Sequence, residues 1–146
     1  MKMELTNLAP CALIIEDEVL VRLYGADLLA ELGFKVVEAG NAAEALHQLE
    51  MHQDIGLVFS DVQMPGAHDG LELARLIHCR WPQIALLITS GRPVSRDSLP
   101  GAAEFLPKPY DGKALARHVS QLLALNKSTP CASRANPVPV SAEAFV

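Results

Sequence analysis

Short, unbroken aliphatic runs alternate along the chain with longer stretches in which apolar positions recur every three or four residues. The first pattern suits a strand buried on both faces, the second an amphipathic helix. Cys11 to Ile15 predicts the first strand. A helix follows from about Glu18 to Leu32, with Leu20, Tyr24, Leu28 and Leu32 as its apolar stripe and Gly33 at its end. Lys35 to Ala39 predicts the second strand. Asn41, with Glu44 three residues on, resembles a capping box for a second helix that buries Ala42, Ala45, Leu46 and Leu49. Ile55 to Ser60 predicts the third strand, Met64-Pro65-Gly66 a loop, Leu71 to Cys79 the third helix and Ile84 to Thr89 the fourth strand.

The rhythm then breaks. Gly91, Pro93, Pro100 and Gly101 fall within one crossover, which leaves room for one or two helical turns at most. Glu104 to Leu106 predicts a short fifth strand. Asp111 caps a last helix striped by Leu115, Val119, Leu122 and Leu123. Strands alternating with helices imply an α/β fold, a doubly wound parallel sheet with helices on both faces. The expected organisation is an N-terminal extension over 1–9, one domain over 10–126 and a Ser-, Pro- and Ala-rich disordered tail over 127–146.

Composition narrows the picture without redirecting it. Cys11, Cys79 and Cys131 have no metal-ligand or C-x-x-C spacing, so they read as reduced thiols, with Cys11 in the core. No apolar run approaches the roughly 20 residues of a membrane span, and the N-terminus is unlike a secretory signal, so a soluble cytoplasmic protein is expected. A net charge of -5 without a basic cluster argues against nucleic-acid binding.

In an open parallel sheet, ligands bind beyond the carboxyl ends of the strands. Strand one ends in Glu16-Asp17, strand three in Asp61, strand four in Thr89-Ser90, and Lys108 follows strand five. A 2-1-3-4-5 strand order gathers all of them at one edge. Each has an ordinary explanation alone, as a cap, a turn or a surface lysine. Together, three mutually repelling carboxylates call for a cation, and hard oxygen donors favour Mg²⁺. Asp17 and Asp61 are the expected direct ligands, with Glu16 acting through water. Lys108 and the Thr89 hydroxyl would then meet the oxygens of a phosphoryl group accepted by the Asp61 carboxylate.

From Leu13 to Leu123 these residues resemble the receiver domains of two-component response regulators, typified by the bacterial chemotaxis regulator. The resemblance rests on Glu16-Asp17, Asp61 followed by Met64-Pro65 and Gly70, Thr89-Ser90, and Lys108-Pro109 with Phe105 three residues earlier. It implies a flavodoxin-like five-stranded sheet in the order 2-1-3-4-5, and phosphoryl transfer to Asp61 from the phosphohistidine of a sensor kinase or phosphotransfer protein. It also implies a Gln63 backbone carbonyl on the metal, a Thr89–Phe105 switch and a cis Lys108-Pro109 bond. Against the family pattern, the loop between Asp61 and Gly70 is longer. The fourth helix is shortened by about one turn, which alters a surface the family uses for partners.

Output is then expected through an unidentified downstream protein, because the stretch after the last helix is too short for a helix-turn-helix domain. The last helix also offers a surface for a homodimer, although an apolar stripe facing the sheet explains its pattern equally well. An unphosphorylated receiver-like interaction module remains an alternative, separable by whether Asp61 takes up phosphate. An aspartate-nucleophile phosphatase needs a second aspartate two residues after the first, and Gln63 stands there instead. The chain is therefore not expected to be an enzyme beyond catalysing its own phosphorylation and dephosphorylation.

Overall fold

The computed structural model describes residues 10–63 and 70–128. Five strands, β1 (Cys11–Ile15), β2 (Lys35–Ala39), β3 (Ile55–Asp61), β4 (Ala85–Ser90) and β5 (Glu104–Pro107), form one parallel sheet in the order β2-β1-β3-β4-β5. Helices α1 (Val19–Glu31), α2 (Ala42–Met51), α3 (Gly70–Arg80) and α4 (Gly112–Ser128) connect or follow them. The expected doubly wound, flavodoxin-like sheet is the one observed.

Strand alternation divides the core in two. Leu13, Val58, Leu86 and Ile88 pack under α2 and α3, against Ala45, Leu49, Leu73 and Ile77. Ile14, Leu57, Phe59 and Leu87 face α1 and α4, against Leu29, Leu115, Val119 and Leu122. The α4 stripe is thus covered by its own sheet. Asn41 caps α2 as its sequence suggests, its Oδ1 accepting from the Glu44 amide at 2.8 Å, while Glu44 Oε1 accepts from the Gly40 amide at 2.7 Å. Cys11 is buried, as expected.

The stripe expected on α1 is corrected. Leu20 is 80% exposed, and Tyr24 and Leu32 also face solvent, whereas Gly25, Ala26 and Leu29 turn inward. The helix is apolar nearly all round, so periodicity does not select its inner face; the small residues do, because they let it close on Ile14 and Tyr110.

The fourth crossover holds a single 3-10 turn, Arg96–Ser98, opened by Ser95, whose Oγ accepts from the Asp97 amide at 3.2 Å. This is the abbreviation that its prolines and glycines predict. α4 runs to Ser128, past Lys127, where the composition places the start of the tail. The N-terminal extension, Met64-Pro65 with the lengthened loop, Cys131 and the tail beyond Ser128 lie outside the described residues. Among those described, no helix is long and apolar enough to cross a membrane.

Candidate functional site

β1 and β3 are central strands whose last residues carry their side chains past the sheet edge. Glu16 extends β1 by one rung, its amide donating to the Ala39 carbonyl at 3.0 Å, and Asp17 follows in the turn into α1. Asp61 closes β3 in register with Thr89 of β4, so their side chains emerge on the same face. Lys108 leaves β5 with its amide bonded to the Ser90 carbonyl at 3.0 Å, and the Lys108-Pro109 bond is cis, as expected.

The four elements converge on one cluster. Carboxylate oxygens of Glu16, Asp17 and Asp61 all lie within 4.8 Å of one another. Lys108 Nζ donates to Asp61 Oδ2 at 2.9 Å and to Glu16 Oε1 at 3.0 Å. The Gln63 amide donates to Asp61 Oδ1 at 2.9 Å, and the Glu18 amide to Glu16 Oε2 at 3.2 Å. Asp61 and Glu16 are each only 3% exposed.

Burial pushes the Glu16 carboxyl above its ordinary range; bonds from Lys108 and the Glu18 amide oppose this, and the Asp61 charge adds to it. Lys108 is pulled down by burial, but its bonds and charge interactions with Asp61 and Glu16 outweigh that and hold it above the ordinary lysine value. Tyr110 is pushed up to about 12, first by burial and then by the Glu16 charge.

Three carboxylates therefore face one ammonium, and every donor is a hard oxygen. That donor set fits a divalent cation of the Mg²⁺ type. A second feature points into the same space: Thr89 is buried, and its Oγ1 has no hydrogen-bond partner among the described residues. A buried hydroxyl left unpaired is costly, so its place at the end of β4 suits a ligand acceptor.

Gln63 and Ser90 stand at the rim, Ser90 Oγ donating to Gln63 Oε1 at 3.3 Å and accepting from the Arg92 amide at 3.0 Å. Phe105 lies apart from the cluster. It pairs with Ile88, one rung below Thr89, and packs half-buried in the core under α2 and α3.

Two features are not visible in the sequence pattern. Gly70 opens α3 against the backbone of Asp61 and Val62, so close that any side chain would collide with it; its amide donates to the Val62 carbonyl at 3.0 Å. The family resemblance singles Gly70 out without giving this cause. Arg22, which no motif flags, reaches from α1 to the Glu16 carbonyl at 2.8 Å. Its only signal is that it follows Asp17 early in the helix.

Beside Lys108 an apolar cavity of about 550 Å³ opens between Leu20, Val21 and Tyr24 of α1 and Pro109-Tyr110. At its margin, Tyr24 Oη donates to the Tyr110 carbonyl at 3.2 Å.

The family model for the response regulator receiver domain matches residues 12–120. Sensor kinase CckA of Brucella abortus (strain 2308) is 37% identical over 116 residues, which are 76% of this chain and 12% of that protein. Aerobic respiration control protein ArcA of Escherichia coli (strain K12) is 33% identical over 119 residues, 79% of this chain and 49% of that protein. The chain thus spans about half the length of these curated relatives or less. The solved receiver domain of hybrid histidine kinase CckA superposes with a TM-score of 0.66 at 37% identity, covering 77% of this chain and 97% of that one.

Proposed function

The chain belongs to the response regulator receiver family, and from that premise we propose that Asp61 accepts a phosphoryl group from the phosphohistidine of a histidine kinase or phosphotransfer protein. An Asp61 carboxylate oxygen forms the new O–P bond as the N–P bond of the donor breaks, and the bond's electron pair stays with the donor imidazole. The observation that carries this reading is the two-sided grip on Asp61. Lys108 holds Oδ2 and the Gln63 amide holds Oδ1, with Glu16 and Asp17 alongside.

Lys108 stays beside the phosphoryl oxygens as charge builds on them, and Thr89 Oγ1 donates to one of them. Asp17, Asp61 and the Gln63 carbonyl, with Glu16 acting through water, would hold Mg²⁺, which would supply positive charge against the reacting phosphoryl oxygens. A phosphoryl group shifts a two-state equilibrium only through contacts that differ between the states. Thr89 and the neighbouring crossover over 90–101 are the parts placed to make them, with Phe105 turning toward the space behind Thr89.

The output is a phosphorylation-dependent contact with a downstream protein in the cytoplasm. The chain acts as a switch rather than an enzyme on other substrates. A homodimer through the α4 stripe is not needed to explain that stripe, since it is already buried.

Incubation with a small acyl phosphate and Mg²⁺, followed by intact mass measurement, tests the proposal. One added phosphoryl group on the wild type and none on Asp61→Asn supports it. An unmodified wild type favours the unphosphorylated interaction module.

A further inference from the structure

Glu16 and Asp17 occupy the turn from β1 into α1, and the direction of the Asp17 carboxylate depends on how that turn is held. The Glu16 amide is fixed by Ala39, and its side chain by Lys108 and the Glu18 amide. The Glu16 carbonyl is fixed by Arg22, whose Nη1 donates to it at 2.8 Å. Because the peptide is planar, setting that carbonyl also sets the Asp17 N–H and the position of its Cα.

Arg22 is itself held. Its Nε donates to Glu38 Oε1 on β2 at 3.0 Å, and its side chain is 19% exposed. The absence of a side chain at Gly40 leaves it room, since a Cβ there would stand 3.2 Å from Nη1. One guanidinium thus joins α1, β2 and the acidic turn, with the Glu38 carboxylate offsetting its charge.

From this geometry we infer that Arg22 is a positioning residue for the cation site, fixing the Glu16–Asp17 peptide so that the Asp17 carboxylate meets Asp61. The inference rests on the Mg²⁺-dependent acceptor site proposed above. Arg22 acts through the backbone and touches neither the cation nor the phosphoryl group. Losing a group that orients metal ligands typically weakens metal binding by roughly 10- to 100-fold. If Arg22 merely fastened α1 to β2, losing Glu38 would do the same.

Calorimetric Mg²⁺ titration of the full-length, unphosphorylated chain separates these cases, with thermal unfolding recorded for every variant. Arg22→Met is expected to bind Mg²⁺ about 10-fold more weakly. Arg22→Lys keeps a donor for the carbonyl and recovers part of that loss. Glu38→Gln leaves the Arg22–Glu16 bond in place and keeps near wild-type affinity. Wild-type affinity in Arg22→Met, or an equal loss in Glu38→Gln, overturns the inference. If Arg22→Met does not fold, the other two decide: Arg22→Lys must bind more weakly than Glu38→Gln, and the reverse order overturns the inference. A wild type that binds no Mg²⁺ overturns the acceptor-site proposal as well, whereas a wild type that binds while Arg22→Met is unaffected overturns the inference alone.

Discussion

Lys108 Nζ stands 2.9 Å from Asp61 Oδ2, joining two strand ends that are 47 residues apart in the chain. The same ammonium reaches Glu16 at 3.0 Å, so one cation sits between two nearly buried carboxylates. Such a charge acts on binding and on reaction in opposite directions.

Lys108→Ala removes a positive charge from the rim of a cation site and leaves the carboxylates less compensated. Mg²⁺ is therefore expected to bind as tightly as in the wild type or more tightly. Phosphoryl acceptance should slow by roughly 100-fold, the order expected when a preplaced charge-stabilising donor is lost. Calorimetry and a phosphorylation time course on the same sample check both halves. Weakened Mg²⁺ binding would contradict this electrostatic account.

Asp17→Asn should separate the cost of the acidic cluster from its use. Without Mg²⁺ the variant loses like-charge repulsion and is expected to gain about 0.5–1 kcal/mol at low ionic strength, a gain that salt diminishes. With Mg²⁺ at about 100 times its Kd, the wild type gains about 2.7 kcal/mol by mass action and the variant gains little. Denaturant unfolding with and without the cation measures the crossing of the two stabilities.

The exposed face of α1 should matter to a protein donor and not to a small one. Leu20 is 80% and Leu23 45% exposed, and Leu20 borders the apolar cavity beside Lys108. Leu20→Ser with Leu23→Ser is expected to slow transfer from a phosphorylated kinase or phosphotransfer protein about 10-fold, because an apolar anchor of the interface is lost. Phosphorylation by a small acyl phosphate should keep its wild-type rate. Equal slowing with both donors would place the effect in the site itself.

Tyr110 supplies a pH signature. Its phenol is raised from 10.0 to about 12, chiefly by burial, so the folded state favours the protonated form. The stabilisation from this group is complete below about pH 10 and is lost as pH rises toward about 12. The stability difference between wild type and Tyr110→Phe should therefore be constant up to about pH 10 and shift against the wild type above it. Denaturant midpoints across that window test the sign, and a pH-independent difference would contradict it.

Much of this arrangement is legible in the sequence because it follows from strand ends. The unbroken apolar runs over Cys11–Ile15 in β1 and 57–59 in β3 mark central strands, and an acid that closes such a strand has to stand at the sheet edge. Pro93 and Pro100 likewise announce the missing helix in the fourth crossover. The inner face of α1 escapes the sequence pattern for a physical reason. Leu20 and Tyr24 carry far larger side chains than Gly25 and Ala26, yet close packing on Ile14 and Tyr110 favours the small residues. Arg22 gives no sequence signal beyond its place early in α1, because Glu38 on β2, which holds its guanidinium against the Glu16 carbonyl, comes to it only once the sheet has formed.

On the function proposed above, this edge directs a phosphoryl group to Asp61 and needs a divalent cation to do so. Borohydride reduces an aspartyl phosphate to homoserine, and peptide mapping then locates it. After treatment with a phosphodonor, homoserine at position 61 with Mg²⁺ present and none in excess chelator is the predicted result. Homoserine at another position, or equal conversion at position 61 in chelator, would contradict the account.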